Sequence, residues 1–234
     1  MSVNRALKNL QENMRDVERL LEIHAELTGQ EKGRRSGVEV LNKSAIVLIT
    51  AAWEAFVEDL AIEGFDFLLN NASTHDAIPS KVRGLVGEDL LKASDSKDLW
   101  KLADMGWKSI LKTHKKKYHK RYAGDLNTPK YKQIDTLFES LLGIRSVSRF
   151  WYWQRQSADY SRTRLDKYIT VRGQIAHRAS TEESITKLYV KEYANFIYRL
   201  AVKTANRTST HIHKLVEADP WDLVTYEELV KTGT

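Results

Sequence analysis

The 234-residue chain has no cysteine. Disulfides and thiolate metal sites are therefore excluded, and a reducing, cytoplasmic setting is expected. Proline is also scarce. Pro79, Pro129 and Pro220 are the only three, each where a helix should start or stop. There is no glycine-rich phosphate loop, no alternation of strand and helix patterns, and no internal repeat. A Rossmann or P-loop nucleotide site thus has no support. Long apolar runs are missing as well. The most apolar stretch, Ala45 to Leu69, is interrupted by Glu54, Glu58, Asp59, Glu63 and Asp66, which a membrane span would not carry. Met1 to Gln30 mixes charges with apolar residues and lacks the apolar core of a secretion signal.

What remains is a helical, mildly basic chain. Hydrophobic residues make up 42%, enough for a packed core at this length. The net charge of +6 favours an acidic partner such as nucleic acid without establishing one.

The spacing predicts a first helix over Val3 to Leu27, with Val3, Leu7, Leu10, Met14, Val17 and Leu21 on one stripe. Ser36 and Glu39 have capping-box spacing and should open a second helix reaching about Asn70. Apolar residues cover much of its circumference, so it should be central in a bundle. Short helices are expected over Lys81–Leu91 and Leu99–Thr113, followed by the basic run His114–Arg121. Thr128 and Pro129 should start a helix that ends near Gly143. After the aromatic stretch Phe150 to Trp153, one helix is expected over Ser161–Ala176. A last helix should open with a second capping box, Ser180 and Glu183, and reach about Glu217. Beyond Pro220 there is room for a short helix near Tyr226 to Lys231. Long amphipathic helices with short connections give an all-α, up-and-down bundle.

Arg172 and His177 are the best candidates for chemistry, at the C-terminal end of one long helix and just before the next. Five helical positions turn through about 140°, so the two do not stack directly, but a long arginine can swing round, aided by any bend at the helix end. Histidine moves protons near neutral pH. Arginine carries a permanent charge and grips phosphate with two parallel hydrogen bonds. Together they suit phosphodiester cleavage of RNA, with no metal or other cofactor needed. A structural reading stands beside this one: His177 could satisfy carbonyls at a helix end and Arg172 could pair with an acid.

The segment Arg172-Gly-Gln-Ile-Ala-His177 resembles the Arg-x4–6-His motif of HEPN domains. Ala51-Ala-Trp53-Glu54-Ala-Phe-Val-Glu58-Asp59-Leu60 looks like the central-helix signature of their RiboL-PSP-type branch. The resemblance covers about residues 1–70 and 160–215. It implies one HEPN-like domain over 1–219, with a helical insertion at about 72–160 between the second and the last two long helices, and a tail at 220–234. It further implies a homodimer that joins two Arg-His motifs in one cleft. The implied activity is that of a metal-independent endoribonuclease of toxin–antitoxin or antiviral defence systems, with an antitoxin or other partner protein possible. Family members commonly carry a polar residue, often Asn, directly after the arginine. Here that position is Gly173, which also leaves open a non-catalytic module that binds RNA or protein.

Glu54 and Glu58 are four apart, hence on one helix face, and could orient Arg172 or His177; a surface or salt-bridge role is the alternative. Candidate RNA contacts are Lys115, Lys116, Lys117, Lys120 and Arg121 in the basic run, with Tyr118 and Tyr122 as stacking rings. Arg149 and Trp151 in the aromatic stretch complete the set, although packing into the bundle suits those aromatics too. The histidines of the basic run lack a zinc-like spacing. For His211 and His213, capping at the end of the last helix is expected.

Overall fold

The computed structural model describes residues 4–28, 38–92, 96–125, 129–178 and 183–231, and these are helical with no named strand. The helices are α1 (Arg5–Thr28), α2 (Glu39–Asn71), α3 (Ser80–Leu91), α4 (Gly106–Asp125), α5 (Tyr131–Leu142), α6 (Ala158–Arg178), α7 (Lys187–Val216) and α8 (Tyr226–Lys231). Short 3-10 turns occur at His75–Ala77, Ser96–Leu102 and Val147–Phe150.

Helix α2 is the axis of the bundle, packed by α1, α4, α5, α6 and α7. Its sequence explains this, because Ala45, Ile49, Trp53, Phe56, Leu60 and Phe65 are all buried and leave no polar stripe wide enough to face water. Each large side chain taken fully out of water contributes about 1.5–3 kcal/mol. Gly64 permits a close approach by its neighbours. A Cβ there would lie 3.1 Å from Ile212 Cδ1, 3.2 Å from Thr208 Cγ2 and 3.3 Å from Leu142 Cδ1. Helix α1 buries the predicted stripe, Leu7, Leu10, Met14 and Val17. Its start is held twice. Asn4 Oδ1 accepts the Leu7 N–H at 2.7 Å, and Glu63 of α2 accepts the Arg5 and Ala6 N–H groups, each at 3.2 Å.

Several helix starts differ from expectation. Ser36 and Ser180, the expected caps, lie outside the described residues. Helix α7 begins instead at Lys187, where the Thr186 side chain accepts the Tyr189 N–H at 3.1 Å. Glu183 pairs with Lys167 of α6 at 2.7 Å. Helix α5 starts two residues after Pro129, and its Tyr131 N–H is taken at 3.1 Å by Asp166, a carboxylate from α6. The helix expected over Leu99–Thr113 is divided: a 3-10 turn ends at Leu102 and α4 runs from Gly106 straight through the basic run. The end of α5 is as expected. Gly143 sits at φ +67° and stops the helix, and a Cβ there would lie 2.3 Å from Pro79 Cβ.

The segment beyond Pro220 is docked. Trp221 is buried and donates its indole N–H to Ala205 O at 3.2 Å, while Asn206 holds Val224 through both main-chain groups. Helix α8 then packs on α7, and Gln11 of α1 donates to Leu229 O at 2.6 Å. Among the described residues, no helix is long and apolar enough to cross a membrane.

Candidate functional site

Helix α6 continues without interruption through Arg178, so no bend separates Arg172 from His177. The expected displacement at a helix end is therefore absent. The helical turn of about 140° stands, and burial follows it. Arg172 is half-buried and turned into the bundle; His177 is exposed on the last turn.

Arg172 is set beside α2 and α7 by a layer of aromatic side chains one turn earlier. The Tyr168 ring stacks on Tyr193 of α7, with centroids 4.0 Å apart and planes 14° apart. Tyr189 meets Tyr168 edge-on at 5.2 Å. The Tyr193 hydroxyl lies 3.0 Å from Thr50 Oγ1 of α2. Thr50 spends its own proton on Ile46 O at 2.9 Å, so Tyr193 is the donor of the pair. Glu54 is one turn after Thr50 on α2 and, like Arg172, half-buried. Burial pushes the Glu54 carboxyl above its ordinary value, the charge of Glu58 adds to the rise, and the positive charge of Arg172 opposes it. Glu54 is thus a carboxylate within electrostatic reach of Arg172. Burial likewise raises the Tyr193 hydroxyl, so it stays protonated as a donor.

These tyrosines escaped the sequence reading. The available signal was their spacing: Tyr168 precedes Arg172 by one turn, and Tyr189 precedes Tyr193 by one turn.

Next to the exposed end of α6 lies an open groove of about 750 Å³. Leu20, Val40, Val47, Leu48 and Ile175 form its apolar wall, with Glu39 and Lys43 at the rim. Val40 is 61% exposed although it opens the most apolar helix of the chain.

The expected RNA contacts fare differently. Trp151 is not a stacking surface. It is wholly buried, edge-on to Trp53 at 5.9 Å, and donates its indole N–H to Thr204 Oγ1 at 2.9 Å. The packing alternative therefore describes it, and Arg149 remains exposed beside it. In the basic run, Lys115 pairs with Asp66 and Lys117 with Asp89, each at 2.6 Å, while Lys116 is exposed. Tyr118 is buried against His114 and cannot stack on a base. Lys120, Arg121 and Tyr122 belong to α4, and their side chains lie outside the described set. The run is also remote from Arg172 and His177. It docks near Asp66, about 18 Å along α2 from Glu54, whose carboxyl feels Arg172, and about 33 Å from Ser44, which lines the same groove as Ile175. Among the described residues, no three His, Asp or Glu side chains cluster as a metal site requires.

His211 departs from expectation too. It leaves its own helix end alone and donates from Nε2 to Leu142 O at 2.8 Å, the last carbonyl of α5. His114 reaches Ser140 O of the same turn at 3.2 Å. Carbonyls that the end of α5 leaves without a helical partner are thus taken by two imidazoles from neighbouring helices. His213 pairs with Asp219 at 2.9 Å.

Residues 8–210 match the model of the RiboL-PSP-HEPN family. The chain belongs to that family. The match takes in the central helix with Trp53 and Glu54, the middle region, and both Arg172 and His177 of this HEPN protein. No curated protein and no solved structure matches it.

Proposed function

We propose that this HEPN protein is a metal-independent endoribonuclease that acts as a homodimer in a toxin–antitoxin or antiviral defence system. The observation that carries the reading is the pairing of a half-buried, acid-flanked Arg172 with an exposed His177 on one continuous helix. Arg172 grips the scissile phosphate and offsets the charge that builds on its oxygens. His177 takes the proton of the attacking 2′-OH, or gives one to the departing 5′-oxygen. The new bond joins the 2′-oxygen to phosphorus. The bond to the 5′-oxygen breaks, leaving a 2′,3′-cyclic phosphate and a 5′-OH.

Within one copy the two side chains diverge by about 140°. A second copy resolves this by bringing its own pair to the same cleft. The apolar groove of Val40, Val47, Leu48 and Ile175 reaches α6 two residues before His177 and is the face on which the copies meet.

The deciding experiment incubates the protein and its His177→Ala variant with mixed RNA in EDTA and analyses the product ends. Cleavage by the parent alone, with cyclic phosphate ends, is expected. Cleavage retained by His177→Ala, or cleavage abolished by EDTA, would overturn the reading. Growth arrest on expression of the parent, relieved in His177→Ala, is the expected cellular counterpart. Gly173 favours a second reading, a non-catalytic RNA- or protein-binding module, because the polar side chain common at that position is missing.

A further inference from the structure

We propose that α7 and the loop 149–155 form a separate surface for single-stranded RNA, built from cations stacked on aromatic rings. It extends the ribonuclease reading by naming a single-stranded substrate, yet its binding does not depend on cleavage.

Arg199, Lys203 and Arg207 occupy successive turns of one face of α7, so they step by about 6 Å along the helix. Each lies over a ring. Arg207 Cζ is 4.2 Å from the centre of Phe150, and Lys203 Nζ is 5.5 Å from that of Tyr152. Arg199 Cζ is 5.8 Å from Trp153 and 4.0 Å from Tyr226. Among the described residues, none of the three cations has an ion pair, and none donates a side-chain hydrogen bond. Contrast Arg162, Lys115 and Lys117, which each hold a carboxylate. Burial pushes the Arg207 guanidinium below its ordinary value, and no acid opposes the shift. A phosphate would supply the missing counter-charge.

The loop adds a stacking surface and further charge. Tyr152 is 55% exposed, with Lys203 against its ring. Trp153 and Gln156 exchange main-chain hydrogen bonds of 3.1 and 3.0 Å across a tight turn, which puts the exposed Arg155 at its tip in the left-handed region, φ +61°. Arg149 is exposed on the same loop. The 3-10 turn Val147–Phe150, just ahead of the Trp153–Gln156 turn, is held firmly. Asp135 accepts the Ser148 N–H at 2.8 Å and its hydroxyl at 2.7 Å, and Arg162 Nε donates to Ser148 Oγ at 2.8 Å. An exposed ring bordered by cations without carboxylate partners suits a base and its flanking phosphates. A duplex keeps its bases stacked inside and offers Tyr152 nothing.

Helices α6 and α7 are antiparallel, since Tyr168 meets Tyr193 while the earlier Arg164 meets the later Phe196. Lys203 and His177 are therefore roughly 30 Å apart along the pair. An RNA reaching both must leave several nucleotides between them.

The test titrates full-length His177→Ala protein, which should leave the probe intact, into a short fluorescein-labelled single-stranded RNA of mixed sequence. Anisotropy is read over a salt series. Binding is expected, with log K falling linearly against log salt. Tyr152→Ala should weaken it about tenfold at unchanged salt slope, the signature of a lost stack. Lys203→Ala should flatten the slope by about 0.7, that of one phosphate contact. Arg149→Ala, on the exposed loop, gives a second charge probe should Lys203→Ala disturb the fold. The proposal falls if the RNA does not bind, if these variants bind like the parent, or if a duplex binds equally well. Cleavage is scored separately on the unaltered protein. Weakened binding in the variants of a protein that never cleaves keeps this surface and removes the ribonuclease reading; unchanged binding in a protein that does cleave has the opposite result.

Discussion

Tyr193 gives its hydroxyl proton to Thr50 across 3.0 Å of wholly buried space, and Thr50 gives its own to Ile46 O. The direction of this relay makes the two ends unequal. Tyr193→Phe removes a donor and leaves Thr50 bonded, so it should cost about 0.5–1.5 kcal/mol. Thr50→Val strands the tyrosine hydroxyl and should cost about 1–3 kcal/mol. Urea unfolding of both variants tests the order; a larger loss in Tyr193→Phe would refute the assigned direction.

Gly173 lies inside α6, and a Cβ added there meets nothing within 4 Å. Gly173→Ala should therefore stabilise the protein by about 0.5–1 kcal/mol, through helix propensity alone. Gly173→Asn should fold as well as the parent. If the missing polar group limits catalysis, this variant should also cleave RNA faster, which a single-turnover assay would read.

The end of α5 should be sensitive to acid. Burial lowers the pKa of both His114 and His211, so the unfolded chain binds protons that the folded one refuses. Stability from this source is complete above about pH 6.5 and declines as pH falls below it. Each kcal/mol lost should lower Tm by about 2–4 °C. The double variant His114→Gln/His211→Gln serves as reference. The gap in Tm between parent and reference should shift against the parent as pH drops from 7 to 5; a constant gap would rule the histidines out.

Gly143→Ala should be among the most damaging single-methyl changes in the protein. It combines a left-handed backbone with a Cβ placed 2.3 Å from Pro79 Cβ. A loss of about 2 kcal/mol or more is expected in thermal or chemical unfolding.

Period and composition made much of this fold legible. The α1 stripe, the apolar girth of α2 and the stop at Gly143 are local patterns, and each appears where the pattern indicates. Helix starts were harder to read because the groups that cap them come from elsewhere in the chain. Glu63 serves α1 and Asp166 serves α5, and neither is a neighbour in sequence. The basic run was legible as charge, but its engagement with Asp66 and Asp89 depends on tertiary contacts. The same holds for Trp151. Its neighbours in sequence allowed either stacking or packing, and the outcome rests on Thr204, far along the chain, which receives its N–H. Arg172 and His177 are legible as a motif; the one-turn spacing of the tyrosines hints at a shared face, but their meeting across helices is a tertiary contact that spacing does not give.

The tie between Gln11 and Leu229 spans nearly the whole chain, and those between Asn42 and Ile185 and between Thr50 and Tyr193 span well over half of it. During synthesis α1 and α2 can pair early, since they adjoin in sequence. The seam that α2 keeps for α7 must then wait, unclosed, until the last third of the chain has left the ribosome. For that interval the α7-facing side of the most apolar helix of the molecule is open to solvent. The nascent chain should be a strong client for chaperones, and damage to α7 should show first as aggregation of newly made protein.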